Sequence, residues 1–202
     1  MASVTSLLKD VRFLTSCPGF SSLPADTGAE AAFAGRSNAG KSSVLNCLTN
    51  RKSLAKTSST PGKTRHINLF GLGGGSDMRF ADLPGYGFAK TGVKEQERWG
   101  RELTLYVTER VSLKGVVVVM DIRHPLTDTD RQMLILCRTG GKPVHVLLNK
   151  SDKLSSNKKA AAKKRVEKDL AFLAPGATLS TFSALKGDGL AEIREILETW
   201  LG

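Results

Sequence analysis

Six short apolar-rich segments recur along the chain, and stretches with helical spacing separate most of them. Glu30–Ala34, Ile67–Phe70, Met78–Leu83, Val116–Met120, Val144–Leu148 and Thr178–Phe182 predict strands. Val116–Met120 is apolar at every position, as a strand buried on both faces must be. Ser42–Leu48, Lys94–Arg110, Asp130–Cys137, Ser155–Leu173 and Leu190–Leu201 predict helices. In the second of these, Trp99, Leu103, Tyr106 and Val107 fall on one face, the spacing of a core stripe. Gly73-Gly74-Gly75 lies between two strand segments and predicts a hairpin-type connection. Strands that alternate with helices from residue 30 onward predict an α/β sheet covered on both faces. Ligands of such sheets bind outside the carboxyl ends of the strands. Residues 1–28, with Ser, Pro and Gly concentrated between Ser16 and Gly28, predict an N-terminal arm with a short helix near Val4–Leu14.

The polar punctuation after the strands carries the candidate chemistry. Gly35-Arg36-Ser37-Asn38-Ala39-Gly40-Lys41-Ser42 fits G-x-x-x-x-G-K-[ST] and stands between a predicted strand and a predicted helix. The glycines let backbone N–H groups converge on a phosphate chain at a helix N-terminus. Lys41 is placed to reach the β- and γ-phosphates, and the Ser42 hydroxyl to ligate Mg²⁺. Asp82-Leu83-Pro84-Gly85 follows the third strand. An Asp there holds Mg²⁺ through water, and the Gly85 N–H can sense a γ-phosphate. Asn149-Lys150-Ser151-Asp152 follows the fifth strand. A carboxylate at Asp152 accepts from the ring N–H and the exocyclic amine of guanine. Adenine offers neither donor and would leave it unpaired, which makes the discrimination large.

In that order and spacing, these segments resemble the G1, G3 and G4 motifs of translation-factor-class GTPases. Gly35–Ser43, Thr60-Pro61-Gly62-Lys63-Thr64, Asp82–Gly87 and Met120-Asp121-Ile122-Arg123-His124-Pro125-Leu126 resemble, more narrowly, the EngB/YsxC (YihA) family of bacterial ribosome-biogenesis GTP-binding proteins, within the TrmE-Era-EngA-EngB-Septin-like superfamily. The resemblance covers about residues 5–202. It implies one Ras-like P-loop G domain over 29–202, with a mixed, mostly parallel six-stranded sheet. It also implies hydrolysis of GTP to GDP and phosphate with Mg²⁺, a role in assembling the large (50S) ribosomal subunit, and a link to cell division and septation. Among Thr57, Thr60 and Thr64, which compete on sequence alone for the switch I Mg²⁺ contact, the family pattern assigns Thr64. It sets Gly62, Lys63, Arg65 and His66 beside the nucleotide, and brings the backbone N–H groups of Ser183 and Ala184, in Phe182-Ser183-Ala184, to the guanine carbonyl. Lys41, Thr64 and Gly85 are the residues it implies for catalysis. Ras-type GTPases place a water-orienting Gln after D-x-x-G, whereas this chain has Tyr86, so slow intrinsic turnover is expected. For Asn38 two readings compete: a ligand to a K⁺ ion near the phosphates, or a residue that only stabilises the loop turn.

Charge narrows the partners. Lys plus Arg number 30 and Asp plus Glu 19, a net charge of +11, which favours a polyanionic partner such as RNA or an anionic membrane surface. Arg51–Arg65 holds five basic residues and no acidic one, and Lys158, Lys164, Arg165 and Lys168 lie away from the apolar face of their predicted helix. No apolar run approaches the ~20 residues of a membrane span. Cys17, Cys47 and Cys137 show neither a disulfide framework nor zinc-ligand spacing. The first residues carry no secretory leader or myristoylation signal, and the last carry no prenylation cysteine. A bacterial cytoplasmic monomer that binds GTP and GDP is therefore expected. A nucleotide-gated interaction protein of the division apparatus, with negligible turnover, is the alternative.

Overall fold

A computed structural model describes residues 3–55, 66–75, 77–86 and 93–202, with side chains from Glu97 onward in the helix that begins at Val93. The elements run α1 (Val4–Leu7), β1 (Arg12–Cys17), β2 (Ala29–Gly35), α2 (Lys41–Leu48), β3 (Ile67–Gly71), β4 (Met78–Asp82), α3 (Val93–Glu109), β5 (Leu113–Asp121), α4 (Asp128–Thr139), β6 (Val144–Asn149), α5 (Ser156–Leu173), β7 (Thr178–Thr181) and α6 (Leu190–Leu201). One sheet holds all the strands in the order β1-β3-β4-β2-β5-β6-β7. The β1–β3 and β3–β4 pairs are antiparallel, and the remaining pairs are parallel.

Period-2 alternation builds the two halves of the core. Ala32 and Ala34 of β2, with Val116, Val118 and Met120 of β5, face Tyr106, Val107, Leu134, Cys137, Val166 and Leu170 of α3, α4 and α5. Ala31, Phe33, Val117 and Val119 face Val44, Leu45, Ile193 and Leu197 of α2 and α6. The small residues of β2 let helices approach the centre of the sheet from both sides. After β2 the chain turns to β3 and β4 on one side, and later crosses to β5 on the other. That reversal opens a crevice at the carboxyl ends of β2 and β5.

The sheet has seven strands where six were expected. The added strand is β1, inside the segment anticipated as an arm. Only Cys17 of its six residues is buried, so no apolar alternation betrays it. An antiparallel edge strand needs cover on one face only. The helix expected near Val4–Leu14 is cut to Val4–Leu7 because its end is captured by the glycine connection. Gly73 N–H donates to the Leu7 carbonyl (3.1 Å), and Gly74 N–H to that of Asp10 (3.1 Å). Both glycines have positive φ, as a tight β3–β4 connection requires.

At the amino ends of the strands, Glu30 is fully buried and shared by two arginines. Arg110 Nη2 lies 2.6 Å and Arg79 Nε 2.9 Å from its Oε1, while the Tyr106 hydroxyl donates to Oε2 (3.0 Å). At the far edge, His145 sits 2.7 Å from Thr178 Oγ1 and 2.9 Å from Ser180 Oγ, bridging β6 to β7. Burial pushes its imidazole down to about 4. An unfolded chain takes up this proton near pH 6.5, whereas the folded imidazole stays neutral until about pH 4, so this contribution is complete above pH 6.5 and is lost as pH falls between those values. Urea unfolding across that range is expected to show a loss of about 3 kcal/mol. The same series on His145→Leu is expected to lack that slope.

Candidate functional site

Four loops meet at the carboxyl ends of β2, β4, β6 and β7. The loop after β2 is shaped by its conformation. Gly35 passes so close to β5 that a Cβ would lie 2.6 Å from the Val119 carbonyl oxygen. Asn38 (φ 64°) and Gly40 (φ 96°) adopt the left-handed region that turns the backbone into α2. The first helical bond there runs from Val44 N–H to the Gly40 carbonyl (2.9 Å). The N–H groups of Lys41, Ser42 and Ser43 therefore precede the helix ladder and point out of its N-terminus, where an anion is favoured. Lys41 and Asp82, both buried, form an ion pair across the loop. Ser42, in the first turn of α2, adds a hydroxyl. Hydroxyl and carboxylate oxygens are the donors that a hard divalent ion such as Mg²⁺ takes from protein, with water and phosphate completing its shell, so the residues present fit that ion. Among the described residues, no cluster of His, Cys, Asp and Glu forms a protein-only metal cage.

The second loop lies directly on the first. Leu83 is buried and its N–H donates to the Phe33 carbonyl (3.0 Å), which carries the β2–β4 ladder forward into Pro84 and Gly85. A Cβ on Gly85 would stand 3.3 Å from Ser37 N, so glycine allows the close approach. Arg36 pairs with Tyr86 as a parallel bridge, and Ser37 N–H donates to the Tyr86 carbonyl (3.2 Å). The Tyr86 hydroxyl donates to Asp130 Oδ1 (3.0 Å). The other oxygen of Asp130 accepts from the Thr127 N–H and hydroxyl at the start of α4. Burial and the neighbouring Asp130 carboxylate push the Tyr86 phenol well above its usual range, so it serves as a neutral donor.

Asn149 joins the remaining loops. Its Nδ2 donates to the Ala39 carbonyl (3.0 Å), and its Oδ1 accepts from Ala184 N–H (3.3 Å). A Cβ on Gly40 would fall 2.3 Å from that amide nitrogen, which closes the position to any other residue. Lys150, also left-handed (φ 64°), sends Nζ to the Asn38 carbonyl (2.6 Å) and to Asp121 Oδ2 (3.0 Å). Burial opposes the Asp121 charge, but bonds from Arg123 and Lys150 outweigh it and hold the carboxyl well below the usual carboxylate range. Ser183 Oγ donates to Asp152 Oδ1 (2.8 Å) and, with the nearby Lys153, keeps that carboxyl ionised below its ordinary range. Asp152 is thus presented as an acceptor. Ser151 N–H donates to the Phe182 carbonyl (3.0 Å), tying the turn to the end of β7.

Several expected residues stand differently. Phe182 is fully buried, so its part in the site is its backbone. The Ser183 N–H donates to the Asp188 carbonyl (3.1 Å) and the Ala184 N–H to Asn149 Oδ1 (3.3 Å). His66 is exposed and lies 3.2 Å from Ser16 Oγ of β1, against the sheet edge. Gly62, Lys63, Thr64 and Arg65, with Thr57 and Thr60, lie outside the described residues. No role is expected for Asp121 or Asp130 from the sequence, although Asp121 stands in the Met120–Leu126 segment that resembles the family and at the end of a buried strand.

A phosphate loop, an Asp-x-x-Gly turn and an acceptor carboxylate in one crevice are the parts of a guanine-nucleotide switch, and comparison decides the family. The model of a family described as "50S ribosome-binding GTPase" matches residues 30–150. The "Probable GTP-binding protein EngB" of Vibrio parahaemolyticus is 47% identical over 198 residues, covering 98% of this chain and 90% of that protein. Its counterpart in Pseudoalteromonas translucida is 48% identical over 188 residues, covering 93% and 84%. The chain belongs to the EngB family. It is a GTPase of the P-loop class. Solved structures agree on the fold: a crystal structure of a probable EngB superposes with a TM-score of 0.64 at 21% identity, covering 86% of this chain and 98% of that one. Era of Aquifex aeolicus reaches 0.69 at 22% identity, covering 87% and 57%. Replacing Asp152 by Asn in this EngB-family chain exchanges an acceptor oxygen for a donor at the carboxyl expected to meet guanine. Fluorescent GDP titration is expected to show affinity weakened roughly a hundredfold or more, with the far-UV circular dichroism unchanged.

Proposed function

We propose that this chain is a nucleotide-dependent switch in the assembly of the large ribosomal subunit, and that the requirement of its family for normal division and septation follows from that work. The observation that carries the reading is the packing of the Asp82–Gly85 turn on the phosphate loop, beside the Lys41–Asp82 pair. A γ-phosphate entering there must engage Lys41 and the Gly85 N–H together, so its presence is reported to the segment that follows. The description of the matching family as a 50S ribosome-binding GTPase and the net charge of +11 support a ribosomal, RNA-bearing partner. Among the described residues no helix is long and apolar enough to cross a membrane.

In this reading the backbone of Gly35–Ser43 and Lys41 bind the phosphates, Thr64 and Gly85 respond to the terminal one, and Asp152 selects guanine. Ser42, Asp82 through water and Thr64 would hold Mg²⁺, which when bound would supply charge neutralisation on the phosphates. Tyr86 stands where a water-orienting Gln would be, and its hydroxyl is committed to Asp130. Intrinsic hydrolysis is therefore slow. Asn38, exposed and left-handed, either ligates K⁺ or only shapes the turn. Equal hydrolysis rates in K⁺ and Na⁺, with and without ribosomal particles, would assign it to the turn.

Co-sedimentation with large-subunit particles tests the proposal. Binding is expected with a non-hydrolysable GTP analogue, weaker with GDP, and reduced at higher salt. Binding that ignores the nucleotide, or none, would leave a GTPase whose partner belongs to the division apparatus.

A further inference from the structure

The outer flank of α5 combines charge with an aromatic ring. At 100° per residue, Ala162, Val166, Leu170 and Leu173 point to the sheet. Lys158, Arg165, Lys168 and Phe172 fall within about 80° of arc on a different side and follow one another over about 21 Å of helix. All four are exposed. Phe172, at 75% exposure, is the most exposed aromatic side chain among the described residues and belongs to neither core cluster.

Among the described residues, no acid pairs with this row. The acid nearest to it, Asp169, is taken by Arg131 of α4 (2.6 Å). Glu167 lies on the opposite flank, beside Lys163 (3.7 Å). Arg138 of α4 donates to the Phe172 carbonyl (3.0 Å), which fixes the end of α5 and adds one more cation at that end of the row. α4 also exposes Ile135 within a turn of Arg138. An acidic protein with an apolar pocket would also satisfy the cations and the ring, but the net charge of +11 and the match to a family described as ribosome-binding favour a nucleic acid. A duplex would satisfy the cations through its backbone, and its stacked bases leave no face for the ring. Unpaired nucleotides satisfy both, with phosphates along the lysines and a base on the ring.

We propose that the α5 flank from Lys158 to Phe172, with Arg138 of α4, is a binding surface for single-stranded or loop RNA, with Phe172 as its base-stacking platform. The inference rests on the ribosomal reading above for its biological partner, and on geometry alone for its chemistry. Helix α5 follows directly on the turn that carries Asp152, so RNA held here lies next to the nucleotide site without entering it.

Fluorescence anisotropy with a 12-nucleotide oligouridine, with the protein saturated with GDP, tests the surface. The wild type is expected to bind with a negative salt slope. Phe172→Leu, which keeps size and apolarity but removes the π face, should weaken binding about tenfold, and Phe172→Trp should restore it. Arg165→Glu with Lys168→Glu should weaken binding further and flatten the salt slope by about 1 to 2. GTP hydrolysis without RNA should be unchanged in all three. Failure of the wild type to bind, or equal binding by Phe172→Leu, would overturn the proposal. Particle co-sedimentation that persists in that case keeps the ribosomal reading and moves the contact elsewhere. Particle binding lost in the charge-reversed variant but indifferent to Phe172, with no oligouridine binding, would overturn it in favour of an acidic protein surface.

Discussion

One buried amide sets the geometry of the nucleotide crevice. Asn149 ends β6, and both halves of its side chain are consumed: the nitrogen by the phosphate loop at Ala39, the oxygen by the backbone of Ala184. Its own carbonyl accepts from the Ile122 N–H (3.0 Å), so a third connection is held by the same residue. Three loops far apart in sequence are thereby fixed around a group that is 1% exposed. Gly40 is glycine because the amide lies where a Cβ would be. Removing either hydrogen-bonding half would strand a buried polar group, a cost larger than the net worth of the bond. Lys150 repeats the device one residue later by joining Asn38 to Asp121, so the Asn-Lys pair holds the loops together while the carboxylate of Asp152 remains available for recognition.

The distribution of charge follows from the same economy of acids. Glu30, Asp82, Asp121 and Asp130 are buried, and each is engaged by cations or hydroxyl donors inside the fold. Carboxylates used for internal bonding do not offset the lysines and arginines outside. Lys41, Arg79 and Arg110 are buried with them, so the chain's excess of lysine and arginine stays on the surface, where the long helix after the Asp152 turn carries several of these residues. Glu30 closes the amino ends of the strands with two arginines, while Asp121 and Asp130 organise the carboxyl ends.

Legibility in the sequence followed burial. Strands covered on both faces, such as β5 and β6, announced themselves as apolar runs, and their ends agree with the structure to within a few residues. β1 was illegible because an edge strand with one buried residue has no pattern to read; its partner β3 lies about fifty residues away, and only the three-dimensional sheet brings the two together. At the site, the phosphate loop and the Asp82 and Asp152 turns could be read because each chemistry demands fixed residue types at fixed spacing. Backbone donors could not: any residue has an N–H, and nothing in Ser183-Ala184 says that Asp188 and Asn149 accept from them. The Tyr86–Asp130 bond was equally hidden, since it joins a turn to a helix cap through side chains that have many ordinary uses.

The placement of α1 has a consequence for how the molecule is made. The Val4 N–H donates to Glu198 Oε2 (2.6 Å), so the first helix is fastened to the last one. The strand after it pairs only with β3. In vectorial synthesis α1 and β1 emerge before β3 and α6, so the β1–β3 pairing waits for the middle of the chain and the Val4–Glu198 contact waits for α6. What is synthesised first is thus completed last. Contacts of such long sequence separation are slow to form, and the amino-terminal segment works as the clasp that closes a finished domain.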